Sequence, residues 1–163
     1  MRKFTLFIVM LSVSILATLI GTYFIPPSDI VSTTQQEINQ IYSMDYFNKV
    51  LSILENNFLI ALGMFVPALG VPFGIYVLWN TGYILAGLSS NPQLDLLSLF
   101  LLPHSWLEYF SYSIAMTNSI YLIYAMRKGF FKREIKHYSL SILLVFALLT
   151  LGAMIEAYII SVF

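Results

Sequence analysis

Pro103-His104-Ser105-Trp106-Leu107-Glu108 sets an imidazole and a carboxylate four residues apart, in a stretch otherwise almost free of charge. At that spacing the two side chains share one face of a helix, one turn apart. Pro103 suits the first turn of such a helix, where its missing N–H costs nothing. Asn80, in an apolar segment upstream, and Glu156, near the end of the last apolar segment, complete a set of four strongly polar residues. Such groups are costly at membrane depth unless they find partners, so they are expected to converge, with Asn80 donating to the carboxylates.

Three chemistries are open to this set. One is a structural hydrogen-bond knot joining helices, each bond worth roughly 0.5–2 kcal/mol. Another is a proton or ion relay. The third is a metal site, which needs more imidazole or carboxylate than one histidine supplies. His137 flanks a basic segment and reads as solvated. No metal, cofactor or catalytic residue is therefore assigned. The nucleophile elbow G-x-S-x-G, the zinc motif H-E-x-x-H and the phosphate-binding P-loop do not occur, so an enzyme is not expected.

The elements that hold these residues must be membrane helices. Apolar residues make up 59% of the 163 positions and charged residues only 10%, against roughly 25% charged in a soluble domain. The fold class is all-α: a polytopic helical bundle in the lipid bilayer, a single domain over 1–163, with Pro/Gly-broken or re-entrant helices. A formal net charge of zero leaves no nucleic-acid footprint, and the chain has no cysteine.

Residues 4–25 form an uncharged run long enough to cross a hydrocarbon core of about 30 Å, and too long for a signal-peptide core. Pro26-Pro27 ends it, and Ser28 to Gln36 reads as a polar loop. Residues 37–57 are amphipathic: Met44, Phe47, Leu51, Leu54 and Phe58 step by three and four, as in an interfacial helix or one packed on a partner. The remainder, 58–163, is a helical core. Its first part, Phe58 to Leu88, is interrupted by Pro67, Gly70, Pro72 and Gly74, which predicts a kinked span or two half-helices. Leu94 to Leu102 is too short to cross. His104 to Met126 and Tyr138 to Val162 are spans, joined by a basic loop from Arg127 to Lys136.

Charge sets the orientation. Arg2, Lys3 and the 127–136 loop carry the excess of Lys and Arg and are expected on the cytoplasmic side, with 28–55 outside. Residues 56 to 104 then cross an even number of times. Five spans in the cell membrane result; three spans with re-entrant half-helices are the alternative. Ala17-xxx-Gly21, Gly70-xxx-Gly74 and Ala153-xxx-Ala157 have the small-xxx-small spacing that lets helices approach closely. A homodimer is expected, with Ala17/Gly21 or Gly70/Gly74 as its seam.

The order Glu55-Asn56-Asn57, a Gly-rich apolar stretch, Asn80, Pro103-His104-x-x-x-Glu108 and Ile155-Glu156-Ala157 resembles the stage II sporulation protein M family from about residue 50 to 162. The resemblance marks Asn57, Asn80, Pro103, His104, Glu108 and Glu156 as family positions. Ser105 and Thr81 depart from it, since the family often has Gly after the Pro-His pair and after the asparagine. In spore-forming bacteria the resemblance implies a membrane scaffold that assembles with peptidoglycan-degrading enzymes during engulfment. Relatives also occur in archaea without such a wall. The expected function is thus a scaffold or partner-binding subunit for membrane or envelope remodelling, with membrane or envelope proteins as partners. The alternative is a small transporter or channel-like subunit moving protons, ions or a small solute through the broken-helix region.

Overall fold

The computed structural model describes residues 3–162, without the side chains of Gln93, Leu94, Ser98 and Leu99, and every element in it is a helix. In chain order these are α1 (Lys3–Gly21), α2 (Ser28–Ser43), α3 (Tyr46–Phe65), α4 (Gly70–Leu88), α5 (Pro92–Leu101), α6 (Pro103–Lys128) and α7 (Phe131–Val162). Helices α1, α4 and α7 are long and apolar enough to cross a membrane. Helices α3 and α6, of 20 and 26 residues, run beside them and carry more polar side chains.

Contacts at the helix ends fix the order of the bundle. Lys3 Nζ donates to Glu134 Oε1 at 2.5 Å and lies 5.0 Å from the centre of the Tyr121 ring. The start of α1, the end of α6 and the start of α7 therefore share one end. Arg2 lies outside the described residues. At the opposite end, Tyr46 donates to the Met154 carbonyl at 3.3 Å and Lys49 to Ser161 Oγ at 3.2 Å, joining the start of α3 to the end of α7.

Several boundaries differ from those the sequence suggests. Residues 28–36 are not a loop but the first half of α2, which buries none of its residues. The amphipathic stretch 37–57 is not one helix: it breaks at Met44-Asp45, and its second half continues past Phe58 to Phe65 as α3. Asp45 makes the break by accepting hydrogen bonds from the Phe47 and Asn48 amides, the N-cap of α3. The apolar stripe is also turned. Phe47 and Leu51 are exposed, while Lys49, Val50 and Ile53 are buried. In a bilayer the outer surface is apolar, so a polar helix face can turn inward. The basic segment is mostly helical as well. Only Gly129 and Phe130 separate α6 from α7, with Gly129 at φ 77° as the left-handed cap of α6.

The broken apolar segment is a helical hairpin. Pro67 lies in the turn after α3, whereas Pro72 sits in the first turn of α4, where proline is tolerated. The turn is apolar, and two hydroxyls from neighbouring helices donate to its carbonyls, that of Val66 also accepting the Gly70 amide at 2.7 Å. Tyr138 donates to the Phe65 carbonyl at 2.6 Å and Ser119 to the Val66 carbonyl at 2.7 Å.

The small-residue stripes are used within the chain. A Cβ at Gly21 would lie 2.1 Å from the Trp79 carbonyl oxygen, and one at Gly82 would lie 1.9 Å from that of Thr18. These glycines bring α1 and α4 into backbone contact. Ala17 is buried too. Gly70 abuts the Met64 carbonyl and Gly74 the Met116 side chain. Neither Ala17/Gly21 nor Gly70/Gly74 is free to serve as the seam of a dimer, because the chain's own helices already fill both. Ala153 and Ala157 pack against Val50 and Ile53 of α3.

Candidate functional site

Helix α6 begins as its sequence suggests, with Pro103 in the first turn and no side-chain cap before it. His104 and Glu108 then face inward on successive turns. Glu108 Oε1 accepts a hydrogen bond from Asn57 Nδ2 of α3 at 2.8 Å. Glu156 arrives from α7 and lines the same cavity as Glu108. All four residues line one cavity of about 540 Å³. The pairing exists because α6 packs against both α3 and α7, so residues about 50 positions apart meet at one level.

Not all of the expected set converges. Asn80 is half-buried on α4 but does not line this cavity; its helix contributes Val77, Leu78 and Thr81 instead. One helical position explains the difference. Successive residues are rotated by about 100°, so Thr81 can face the cavity when Asn80 does not. Asn57 takes the donor role expected of Asn80. Its place beside Glu55 and Asn56 made it look like part of a polar helix end, and only the family pattern singled it out.

The walls continue upward to α2 and the residue after it, where Glu37, Gln40, Ile41 and then Met44 form the rim, and include Ser105, Tyr109 and Tyr112 of α6. Two polar atoms in the wall residues are left over. Among the described residues, His104 Nδ1 and Ser105 Oγ are buried without a hydrogen-bond partner. His104 is 6% exposed and Ser105 1%. Orphaned buried donors and acceptors are uncommon because each costs about 1–3 kcal/mol.

Below the cavity the bundle is solid. Ala61, Met64, Phe65, Ala115, Met116, Val145 and Leu149 are at most 2% exposed. To one side, α1 and α6 are joined by hydroxyls. Tyr109 donates to Thr18 Oγ1 at 2.8 Å, and Ser14 and Ser113 lie 3.5 Å apart. Among the described residues, no group of three or more His, Cys, Asp or Glu is arranged to hold a metal ion.

Neither curated proteins nor solved structures provide a match to this chain. A family comparison does. The model of the stage II sporulation protein M family matches residues 4–160, a longer region than the motifs alone suggested, taking in α1 and α2 as well as the polar cavity. The chain is a member of the stage II sporulation protein M family.

Proposed function

We propose that this membrane protein is a non-catalytic scaffold, a subunit that holds membrane or envelope partners together during remodelling. In this reading the five long helices all cross the cell membrane. The Lys3 and 127–136 end is cytoplasmic, and α2 lies outside. The observation that carries the reading is the shape of the polar site. The cavity reaches Glu108 from the α2 end and stops at the packed layer formed by Met64, Phe65 and Met116. A blind recess suits binding and is not a continuous pore; the form of transport that remains as the rival is an alternating-access carrier, open to one side at a time. Family membership supports the same reading, and so does the exposed surface of α2, available to a partner. A homodimer is part of the proposal, using a lipid-facing surface other than the filled glycine stripes.

The rival, transport, draws support from the fact that the cavity does reach ionisable side chains next to a helical hairpin. Proteoliposomes separate the two. The purified chain should leave a proton or potassium gradient as intact as empty liposomes do, while photocrosslinkers on α2 should capture a stoichiometric membrane or envelope protein from native membranes. Gradient collapse by the wild type, lost in Glu108→Gln, would overturn the scaffold in favour of a relay.

A further inference from the structure

The geometry points to a ligand for the cavity: an amphipathic organic cation, whose protonated amine sits between Glu108 and Glu156 and whose apolar stem lies along the α3–α4 wall. This inference rests on reading the cavity as a receptor rather than a pathway. Three carboxylates, Glu37, Glu108 and Glu156, line it, and among the described residues no Lys or Arg does. Asn57 offers Glu108 one N–H, which leaves most of the acceptor capacity of two carboxylates unused.

The second observation is independent of charge. The cavity is a formed recess of about 540 Å³ whose flank, Ile53, Ile60, Val77 and Leu78, is apolar. An ammonium group carries three donors and no acceptor, which matches the unused carboxylate oxygens.

Size and lining separate an organic from an inorganic cation. About 540 Å³ is far more than a bare ion fills and lies in the range of small-molecule sites, roughly 300–1,000 Å³. The carboxylates and imidazole are not gathered as metal ligands. Ile53, Ile60, Val77 and Leu78 supply an apolar flank, and Tyr112 an aromatic ring near the carboxylates. The ammonium could belong to a free alkylamine or polyamine, or to the headgroup of an aminophospholipid.

The test uses the full chain in mild detergent with hexylammonium, spermidine, hexanol and potassium at matched ionic strength. Hexylammonium or spermidine should raise the thermal midpoint saturably, while hexanol and potassium should not. In Glu108→Gln and Glu156→Gln, binding should weaken by about tenfold or more, since each removes a charge-assisted partner. Equal shifts with hexanol would make the site merely apolar, and equal shifts with potassium would make it an ion site. Either result, or no shift at all in the wild type, overturns the proposal without recourse to a variant. So does unchanged amine binding in the folded Glu108→Gln/Glu156→Gln double variant. Native mass spectrometry from nanodiscs then assigns the source. Selective retention of phosphatidylethanolamine over phosphatidylglycerol identifies the headgroup, and amine binding without such retention identifies a free amine. Because partner capture is not measured, failure here leaves the scaffold reading separately testable.

Discussion

The substitution Gly82→Ala tests whether α1 and α4 are held by backbone contact. The added Cβ would lie 1.9 Å from the Thr18 carbonyl oxygen and 2.9 Å from its carbonyl carbon, where ordinary contact begins near 3.4 Å. Both obstacles are backbone in a packed helix, so no side chain can swing aside. Relief requires α1 and α4 to part by about 1.5 Å, the difference between 3.4 and 1.9 Å, along much of their shared length. Overpacking of this kind costs about 1–3 kcal/mol, and separating two close helices places the cost at the upper end. Alanine's better helix propensity returns roughly 0.5–1 kcal/mol, leaving a net loss of about 2 kcal/mol. Gly152→Ala is the control. Its Cβ would meet the His104 carbonyl oxygen and Leu107 Cβ at 3.7 Å, ordinary contact, so only the propensity gain should remain. Equilibrium unfolding in mixed SDS and mild detergent micelles measures both. If Gly82→Ala unfolds at the wild-type midpoint, or Gly152→Ala is the more damaging of the two, the backbone seam is not what holds α1 to α4.

Other perturbations probe the hairpin, the cap and the orientation. Tyr138→Phe strips the Phe65 carbonyl of its side-chain cap at the α3–α4 turn, and Ser119→Ala removes one of the two hydrogen bonds to the Val66 carbonyl; each should lower stability by roughly 0.5–2 kcal/mol in the same unfolding assay. Wild-type stability in both would mean that the turn is satisfied in another way. At the other end of α3, hydrogen bonds from the Asn48 amide and side chain hold the Asp45 carboxyl below its usual 3.8. The cap should therefore persist above the ordinary carboxylate range and be lost only as pH falls through the lowered value. Amide shifts of Phe47 and Asn48 followed by NMR should titrate below 3.8, and in Asp45→Asn that titration should vanish. A midpoint above 3.8 would contradict the cap. For orientation, Ser32→Cys should react with an impermeant thiol reagent in intact cells and Gly129→Cys should not. The reverse pattern would invert the topology.

Much of this was readable from one-dimensional features. Low charge and long uncharged runs specify a membrane protein, because no soluble fold could bury so much apolar surface. Pro103 at the head of α6 and the His104–Glu108 spacing follow from local backbone geometry, which needs no neighbours. The two basic segments at one end followed from charge. What the tertiary structure decided depends on which helix packs where. Period alone could not say whether the amphipathic stretch was interfacial or part of the bundle, because lipid reverses the usual meaning of an apolar face. Small-xxx-small spacing announces a close approach but not its partner, and Gly21 meets Gly82's helix rather than a second chain. The pairing of Asn57 with Glu108, and the turning aside of Asn80, were likewise beyond the sequence: a hydrogen bond across helices depends on relative rotation and register, and one residue along a helix turns a side chain by about 100°.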